Sequence, residues 1–297
     1  MNELTTLERR ALSRLTTPGG GMLIVAADQR NSMKKVMTDD PQTVDRAGLA
    51  AAKSDLVRHL GNRAPAILLD PETALPEIVD DGVIAPETGL VVALDASGFA
   101  ETDEGLRRTR YIDGMSPRRV RELGGDAVKM LFYLRPDRGD AEEEVVTAIR
   151  DLVTAANDEG VLLIVEILTY RLPGESEEDY AAAFGGLIED ATRICVEQGV
   201  KVLKIPYPGS AEASDAVHAA AQGVPWAVLS AGVDHATFVG QVRTAVRHGS
   251  AGAMAGRSLW KDCLSTSADE REERLTGVAA VRAAELAAVI DEELAAR

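Results

Sequence analysis

Short apolar runs alternate with longer amphipathic or charged segments along the whole chain. The runs are Met22–Ala27, Ala66–Leu69, Leu90–Leu94, Ala127–Phe132, Val161–Leu168, Val200–Ile205, Trp226–Ser230 and Ser250–Ala255. They are short and lack polar alternation, which suits parallel strands buried on both faces. The segments between them carry helix punctuation. Asp39, Asp40 and Pro41 predict the start of a helix that runs through 51–60 and ends at Gly61. Ser116-Pro117 opens the basic helix PRRVREL, which Gly124-Gly125 closes. Asp140–Glu159 and Glu175–Gln198 read as amphipathic helices ended by Gly160 and Gly199, and an Ala- and Glu-rich helix covers Glu270–Arg297. An Asp or Ser before the helix, Pro in its first turn and Gly just past its end is the asymmetry helices favour. The polar stretch 96–114 reads as a loop over the mouth of the fold.

Eight strand candidates separated by helices match the count of a (β/α)8 TIM barrel, an α/β fold. A doubly wound open sheet rarely needs eight such units, and no G-x-G-x-x-G follows the first run. No linker, low-complexity tract or repeat divides the chain. The expectation is therefore a single barrel domain over 1–297, with its core at about 20–260, an extra N-terminal helix, and extra C-terminal helices over 268–297.

Composition narrows the class. The 297 residues are 45% hydrophobic and 27% charged, an ordinary globular balance. Against 48 Asp plus Glu stand 32 Lys plus Arg, a net charge of −16, which argues against nucleic acid or an anionic membrane as partner. The first twenty residues contain acids and no continuous apolar stretch, unlike a signal peptide, and no run approaches the roughly 18 residues that span a bilayer. A soluble, cytoplasmic protein follows as the expectation, with Cys195 and Cys263 as reduced, buried thiols.

The chemistry lies where charges interrupt apolar runs. Lys129 in AVKMLF, Glu166 in LLIVEIL and Lys204 in VKVLKIP fall on consecutive strands, near the C-terminal ends where barrel enzymes collect their catalytic groups. Strand alternation puts Val202 and Lys204 on one face, and Leu203 and Ile205 on the other. Lys201 would then turn toward the outer helices at the barrel bottom, its stem snorkelling to water. Neighbouring strands lie roughly 4.8 Å apart, so the three charges can form one cluster. A buried ion network kept for packing is the competing explanation, but such pairs seldom improve on apolar residues. A lysine in an apolar wall beside a second ammonium loses its proton more easily, and a free amine attacks a ketone to form a Schiff base. Asp28 ends the first apolar run and also falls on this rim, with a turn or cap as its alternative role. Asp70, before Pro71, reads chiefly as a turn former. Ser230-Ala231-Gly232 follows the seventh run and Gly256-Arg257 the eighth, the place where barrels often hold phosphate on backbone N–H groups. His59, His218 and His248 fall in helices and only His235 lies near such a loop, so no metal or other cofactor is expected.

Taken in order, A-x-D-Q-R (Ala26–Arg30), L-L-D-P-E (Leu68–Glu72), A-V-K (Ala127–Lys129), E-I-L-T-Y (Glu166–Tyr170), V-L-K (Val202–Lys204), L-S-A-G-V (Leu229–Val233) and G-R-x-x-W (Gly256–Trp260) resemble the tagatose-1,6-bisphosphate aldolase family. That class I family also takes in sulfofructose-phosphate aldolases. The resemblance implies a (β/α)8 barrel that cleaves a phosphorylated ketose to dihydroxyacetone phosphate and an aldehyde without metal. It implies Lys204 as the Schiff-base lysine and Glu166 as acid/base, with Lys129 and Asp28 completing the polar cluster. Lys129 would keep Lys204 neutral by like-charge repulsion. Gln29, Arg30, Ser230, Ala231, Gly232, Gly256 and Arg257 would hold substrate and phosphate. Homo-oligomerisation is also implied, and the alanine-rich helix at Val278–Ala296 suits burial against the barrel or another subunit.

Two departures bear on the aldehyde end. Lys204 is followed by Ile205-Pro206-Tyr207-Pro208 where the family reads K-V-E-x-P, and Arg171 stands where the tagatose enzymes tend to carry an acid. Arg171 or Arg110 would suit a distal phosphate or a distal sulfonate. The alternatives are thus a 6-deoxy-6-sulfofructose-1-phosphate aldolase yielding sulfolactaldehyde, or a barrel that binds sugar phosphates without catalysis.

Overall fold

The computed structural model describes residues 3–297. Its strands are β1 (Met22–Ala27), β2 (Ala66–Leu69), β3 (Gly89–Ala93), β4 (Asp95–Glu101), β5 (Arg107–Tyr111), β6 (Ala127–Tyr133), β7 (Leu162–Leu168), β8 (Val202–Pro206), β9 (Trp226–Leu229) and β10 (Gly252–Ala255). Helices α1 (Thr6–Arg14), α2 (Asn31–Met37), α3 (Arg46–His59), α4 (Glu77–Asp80), α5 (Pro117–Glu122) and α6 (Glu143–Glu159) precede or lie among the first barrel strands. They are followed by α7 (Glu177–Glu197), α8 (Ala211–Ala221), α9 (His235–Arg247), α10 (Arg257–Trp260), α11 (Ala268–Arg274) and α12 (Ala280–Ala295).

Eight strands close a parallel barrel in the order β1, β2, β3, β6, β7, β8, β9, β10 and back to β1. This is a (β/α)8 TIM barrel. All eight apolar runs are barrel strands, with ends within two residues of the expected ones. Alternation sorts their side chains as predicted. Met22, Ile24, Leu68, Val91, Ile164, Val202 and Met254 fill the barrel, while Leu23, Val25, Leu69, Val92, Leu203 and Ile205 pack outward against the helices. At Gly252 a Cβ would overlap the Met22 carbonyl oxygen, so only glycine lets β10 pass β1 there.

Several local expectations are corrected. Asp39-Asp40-Pro41 does not open the third helix: Pro41–Thr43 forms a single 3-10 turn, and Asp45 caps α3 by accepting the Gly48 N–H at 2.7 Å. One turn of tight helix fits the Pro, and the chain then extends before helix can restart. The stretch 96–114 is not a plain loop. It holds most of an antiparallel hairpin, β4 with β5, in which Phe99 faces Thr109 and Glu101 faces Arg107. The alternation there is masked by arginines, and one of these, Arg107, is packed over the rings of Phe99 at 4.2 Å and Tyr170 at 4.8 Å. The amphipathic helix expected from Asp140 begins as α6 at Glu143, after a 3-10 segment over Pro136–Glu142. The C-terminal helices do begin at Ala268, as the bounds 268–297 anticipate, and carry a π-turn at Leu275–Ala279. Finally, Lys201 does not end in water. It donates to Glu8 Oε1 at 2.6 Å and Asn157 Oδ1 at 2.8 Å, which ties α1 to the bottom of the barrel.

Candidate active site

The open end of the barrel gathers charges from four strands. Lys204 projects inward from β8, and its Nζ donates to Glu166 Oε2 on β7 at 2.8 Å. The register explains the meeting, because Glu166 and Lys204 are direct partners between β7 and β8. Lys129 on β6 reaches the same Glu166 oxygen at 2.7 Å. It also contacts Asp28 Oδ2, just past β1, at 3.2 Å. The sequence thus predicted the cluster of Lys204, Glu166, Lys129 and Asp28, and the fold assembles all four.

A fifth member was missed. Asp95 accepts from Lys129 Nζ at 2.9 and 3.1 Å, and from the Leu131 N–H at 3.2 Å. A signal was present, since Asp95 directly follows the run Leu90–Leu94, as Asp28 follows its own run. Its place inside a polar stretch read as loop concealed it.

The expected repulsion between the two lysines is corrected by this geometry. Glu166 stands between them, and Lys129 faces three carboxylates. Burial draws the Lys129 ammonium toward losing its proton, but Asp95, Glu166 and Asp28 outweigh it and hold its pKa well above the ordinary value. Burial likewise pushes the Asp28 carboxyl up, yet Lys129 and Lys204 hold it down at about 2. Glu166 is lowered by the same balance, burial opposed by the two lysines, and Asp95 is raised, with burial as the main cause. Lys129 is therefore a fixed cation, and Lys204 is the lysine with one carboxylate partner.

Two cavities meet at this cluster. One, of about 260 Å³, is lined by Leu168, Pro206, Ser230, Ala231, Gly232 and Gly256. The other, of about 490 Å³, is lined by Asp28, Arg30, Asn31, Ser32, Lys35 and Ser97. Gln29, Glu166, Lys204 and Arg257 line both. The larger cavity by itself, and the two joined, fall in the range of small-ligand sites, roughly 300–1,000 Å³.

In the smaller cavity the chain turns through two successive left-handed residues, Ala231 at φ +48° and Gly232 at φ +85°. A Cβ on Gly232 would come within 3.2 Å of the Arg257 guanidinium carbon, so the bare backbone is what lets that side chain lie across the turn. Ser230 Oγ accepts the Gly256 N–H at 3.3 Å and joins the two loops. Arg257 opens the short helix α10 directly after Gly256. The phosphate residues expected from sequence are thus brought together.

In the larger cavity Arg30 donates from Nη2 to the Asp95 carbonyl at 2.9 Å and from Nε to Ser97 Oγ at 3.1 Å, while Nη1 lies 2.8 Å from Glu72 Oε2. Gln29 donates to Asp28 Oδ1 at 2.9 Å. Arg110 and Arg171, offered from sequence for the distal anion, are exposed and line neither cavity. Arg30 and Lys35 are the cations of that cavity that lie outside the Lys129–Lys204 cluster and do not line the smaller cavity. Linear proximity to strand ends suggested the first pair, but Arg110, on β5, and Arg171 both turn their side chains to solvent. Asp70 is a turn former, accepting the Glu72 and Thr73 N–H groups at 3.1 and 3.0 Å and pairing with buried Lys53.

An amine that can enter a carbonyl, a carboxylate in contact with it, and an anion cradle to one side are the parts of iminium chemistry on a phosphorylated ketone.

The model of the DeoC/LacD family aldolases matches residues 22–262, from β1 to just past α10. Tagatose 1,6-diphosphate aldolase 2 of Streptococcus pyogenes is 28% identical over 296 residues, covering 90% of this chain and 88% of that protein. Tagatose 1,6-diphosphate aldolase of Lactococcus lactis is 28% identical over 285 residues, covering 86% of each. Among solved structures, an archaeal fructose 1,6-bisphosphate aldolase superposes with a TM-score of 0.64 at 17% identity, over 97% of this chain and 100% of that one. A fructose-bisphosphate aldolase from Slackia heliotrinireducens gives 0.67 at 15% identity, over 98% and 93%. At such identities the solved structures speak for the fold.

Proposed function

The chain belongs to the DeoC/LacD family of aldolases, and from that membership we propose that it cleaves a phosphorylated ketose of the tagatose 1,6-bisphosphate type through an iminium on Lys204. The observation that carries the reading is the junction of the two cavities at Lys204 and Glu166. A ketose lying across that junction has its C2 carbonyl over the amine and its C1 phosphate on the Ser230–Gly232 and Gly256-Arg257 turns. Its remaining carbons extend toward Asp28 and Arg30.

As Lys204 attacks C2, Glu166 takes a proton from its nitrogen, the heavy atoms being 2.8 Å apart before reaction. That first proton, taken from the ammonium paired with Glu166, passes to the C2 oxygen to give the carbinolamine hydroxyl. Glu166 then takes a second proton from the nitrogen and delivers it to the hydroxyl, which leaves as water. The iminium then serves as electron sink. Asp28, an anion held at about 2, accepts the C4 hydroxyl proton as the C3–C4 bond breaks. The aldehyde departs, Asp28 returns its proton to C3 of the enamine, and water releases dihydroxyacetone phosphate from Lys204. Lys129 stays charged throughout and balances the carboxylates around it.

The distal end of the substrate meets Arg30 and Lys35, and the relatives named for tagatose 1,6-diphosphate support a phosphate there. Trapping tests the chemistry. Borohydride with dihydroxyacetone phosphate should reduce the imine to a secondary amine on Lys204, found by peptide mapping and lost in Lys204→Ala. A barrel that only binds sugar phosphates gives no adduct. Side-by-side cleavage of tagatose 1,6-bisphosphate and 6-deoxy-6-sulfofructose 1-phosphate tests the distal group, and faster turnover of the sulfonate would overturn this choice of substrate.

A further inference from the structure

Asp95 stands where the barrel wall becomes the hairpin. It is the first residue of β4 and pairs with Tyr111 of β5, one residue removed from the end of β3. Its carboxylate holds Lys129 at 2.9 and 3.1 Å, and its carbonyl holds Arg30 at 2.9 Å. One residue therefore touches the inner cluster with its side chain and the wall of the larger cavity with its backbone.

The two lysines share one oxygen. Glu166 Oε2 lies 2.7 Å from Lys129 and 2.8 Å from Lys204. An ammonium has three donors. Lys129 directs them toward Asp95, Asp28 and Glu166. If the Asp95 charge is lost, Lys129 leans harder on Glu166 and competes with Lys204 for the carboxylate that must carry its proton. Lys129 also loses one of the three anions that hold its own proton, and a second amine becomes available beside the first.

We propose that Asp95 is a positioning residue that assigns the two lysines their separate parts, fixing Lys129 as a cation so that Glu166 and Lys204 exchange protons only with each other. The proposal rests on the reading of Lys204 as the Schiff-base lysine. The groups facing Lys129 are Asp28 beyond β1, Asp95 from β4 and Glu166 from β7, with Lys204 across Glu166, Tyr133 on its own strand, and Arg30 behind the Asp95 carbonyl.

The test compares the full chain with Asp95→Asn and Asp95→Glu. Cleavage kinetics and borohydride trapping with dihydroxyacetone phosphate are followed from neutral to alkaline pH. In Asp95→Asn, kcat is expected to fall about tenfold while KM changes by less than about threefold. The alkaline limb of kcat moves to lower pH, because a Lys129 with two anionic neighbours gives up its proton sooner than one with three. At the alkaline end a second reduced adduct appears on Lys129 beside the one on Lys204. Asp95→Glu brings the limb back toward its original position. Asp95→Ser carries the same expectations as Asp95→Asn and replaces it should that variant not accumulate folded. An unmoved alkaline limb with unchanged kcat overturns the proposal. So does a loss confined to KM and thermal stability, which would make Asp95 only an anchor of the hairpin. Absence of a Lys204 adduct in the unaltered enzyme is a different failure, read before any variant, and it removes the aldol reading together with this one.

Discussion

Replacing Lys129 with methionine removes the central cation of the cluster while keeping most of its stem. The contacts at 2.7, 2.9 and 3.2 Å to Glu166, Asp95 and Asp28 set the scale. At an effective dielectric of about 20 each is worth roughly 5–6 kcal/mol of gross attraction. Desolvation of the ammonium and repulsion among the carboxylates offset most of it, and removing one partner of such a buried network typically costs about 3–5 kcal/mol. That loss of stability is expected for Lys129→Met near pH 8, measured by equilibrium urea unfolding.

The pH dependence gives the sharper check. With Lys129 present, Asp28 is held at about 2 against its ordinary 3.8. It therefore contributes stability that is complete above the ordinary value and is lost only as pH falls toward about 2. The depression corresponds to about 2 kcal/mol. Without Lys129 the main attraction is gone and burial, which raises the carboxylates, is left to act on Asp28, Asp95 and Glu166. The folded variant then binds protons at a pH where the unfolded chain does not, so its deficit shrinks on acidification. Between about pH 8 and about pH 5.5 the deficit should narrow by about 2 kcal/mol. A deficit below about 1 kcal/mol at the higher pH, or one that does not change with pH, would refute the account of Lys129 as a cation held by three ionised carboxylates.

Two further outcomes follow from the cavities. Arg30→Ala should raise KM for a ketose bisphosphate about tenfold or more, and raise it much less for the analogue lacking the distal phosphate, since Arg30 lines the larger of the two site cavities and not the smaller. Equal effects on both substrates would remove Arg30 from distal recognition. Gly232→Ala puts a side chain on a residue at φ +85° and within 3.2 Å of Arg257. The strain of about 1–2 kcal/mol and a displaced guanidinium should weaken dihydroxyacetone phosphate trapping about tenfold, and unchanged trapping would show that the phosphate does not sit on this turn.

Much of this arrangement is written in the chain order. Runs such as Leu162–Leu168 are strands wherever they pack, because a two-sided apolar segment must be covered on both faces. Alternation then fixes Lys204 inward with Val202, independent of any partner. Ser116 and Ser176 cap their helices through purely local bonds, to Arg119 and Asp179 at 3.2 and 3.0 Å.

What local pattern does not contain is the company each charge keeps. That Glu166 lies between two lysines follows from the barrel register, which pairs Leu131 of β6 with Glu166 and Glu166 with Lys204 of β8. Asp95 enters the cluster because the hairpin leaves the barrel wall at that residue, and Arg30 faces the larger cavity because the same hairpin offers it a carbonyl and a hydroxyl. Hydrophobic patterning acts through solvent on each segment by itself, and so the sequence alone determined the strands, their inner faces and the lysine that points into the barrel. Which charges touch which depends on distances of a few ångströms between residues far apart in the chain, 101 positions for Asp28 and Lys129, and only closure of the barrel decides those.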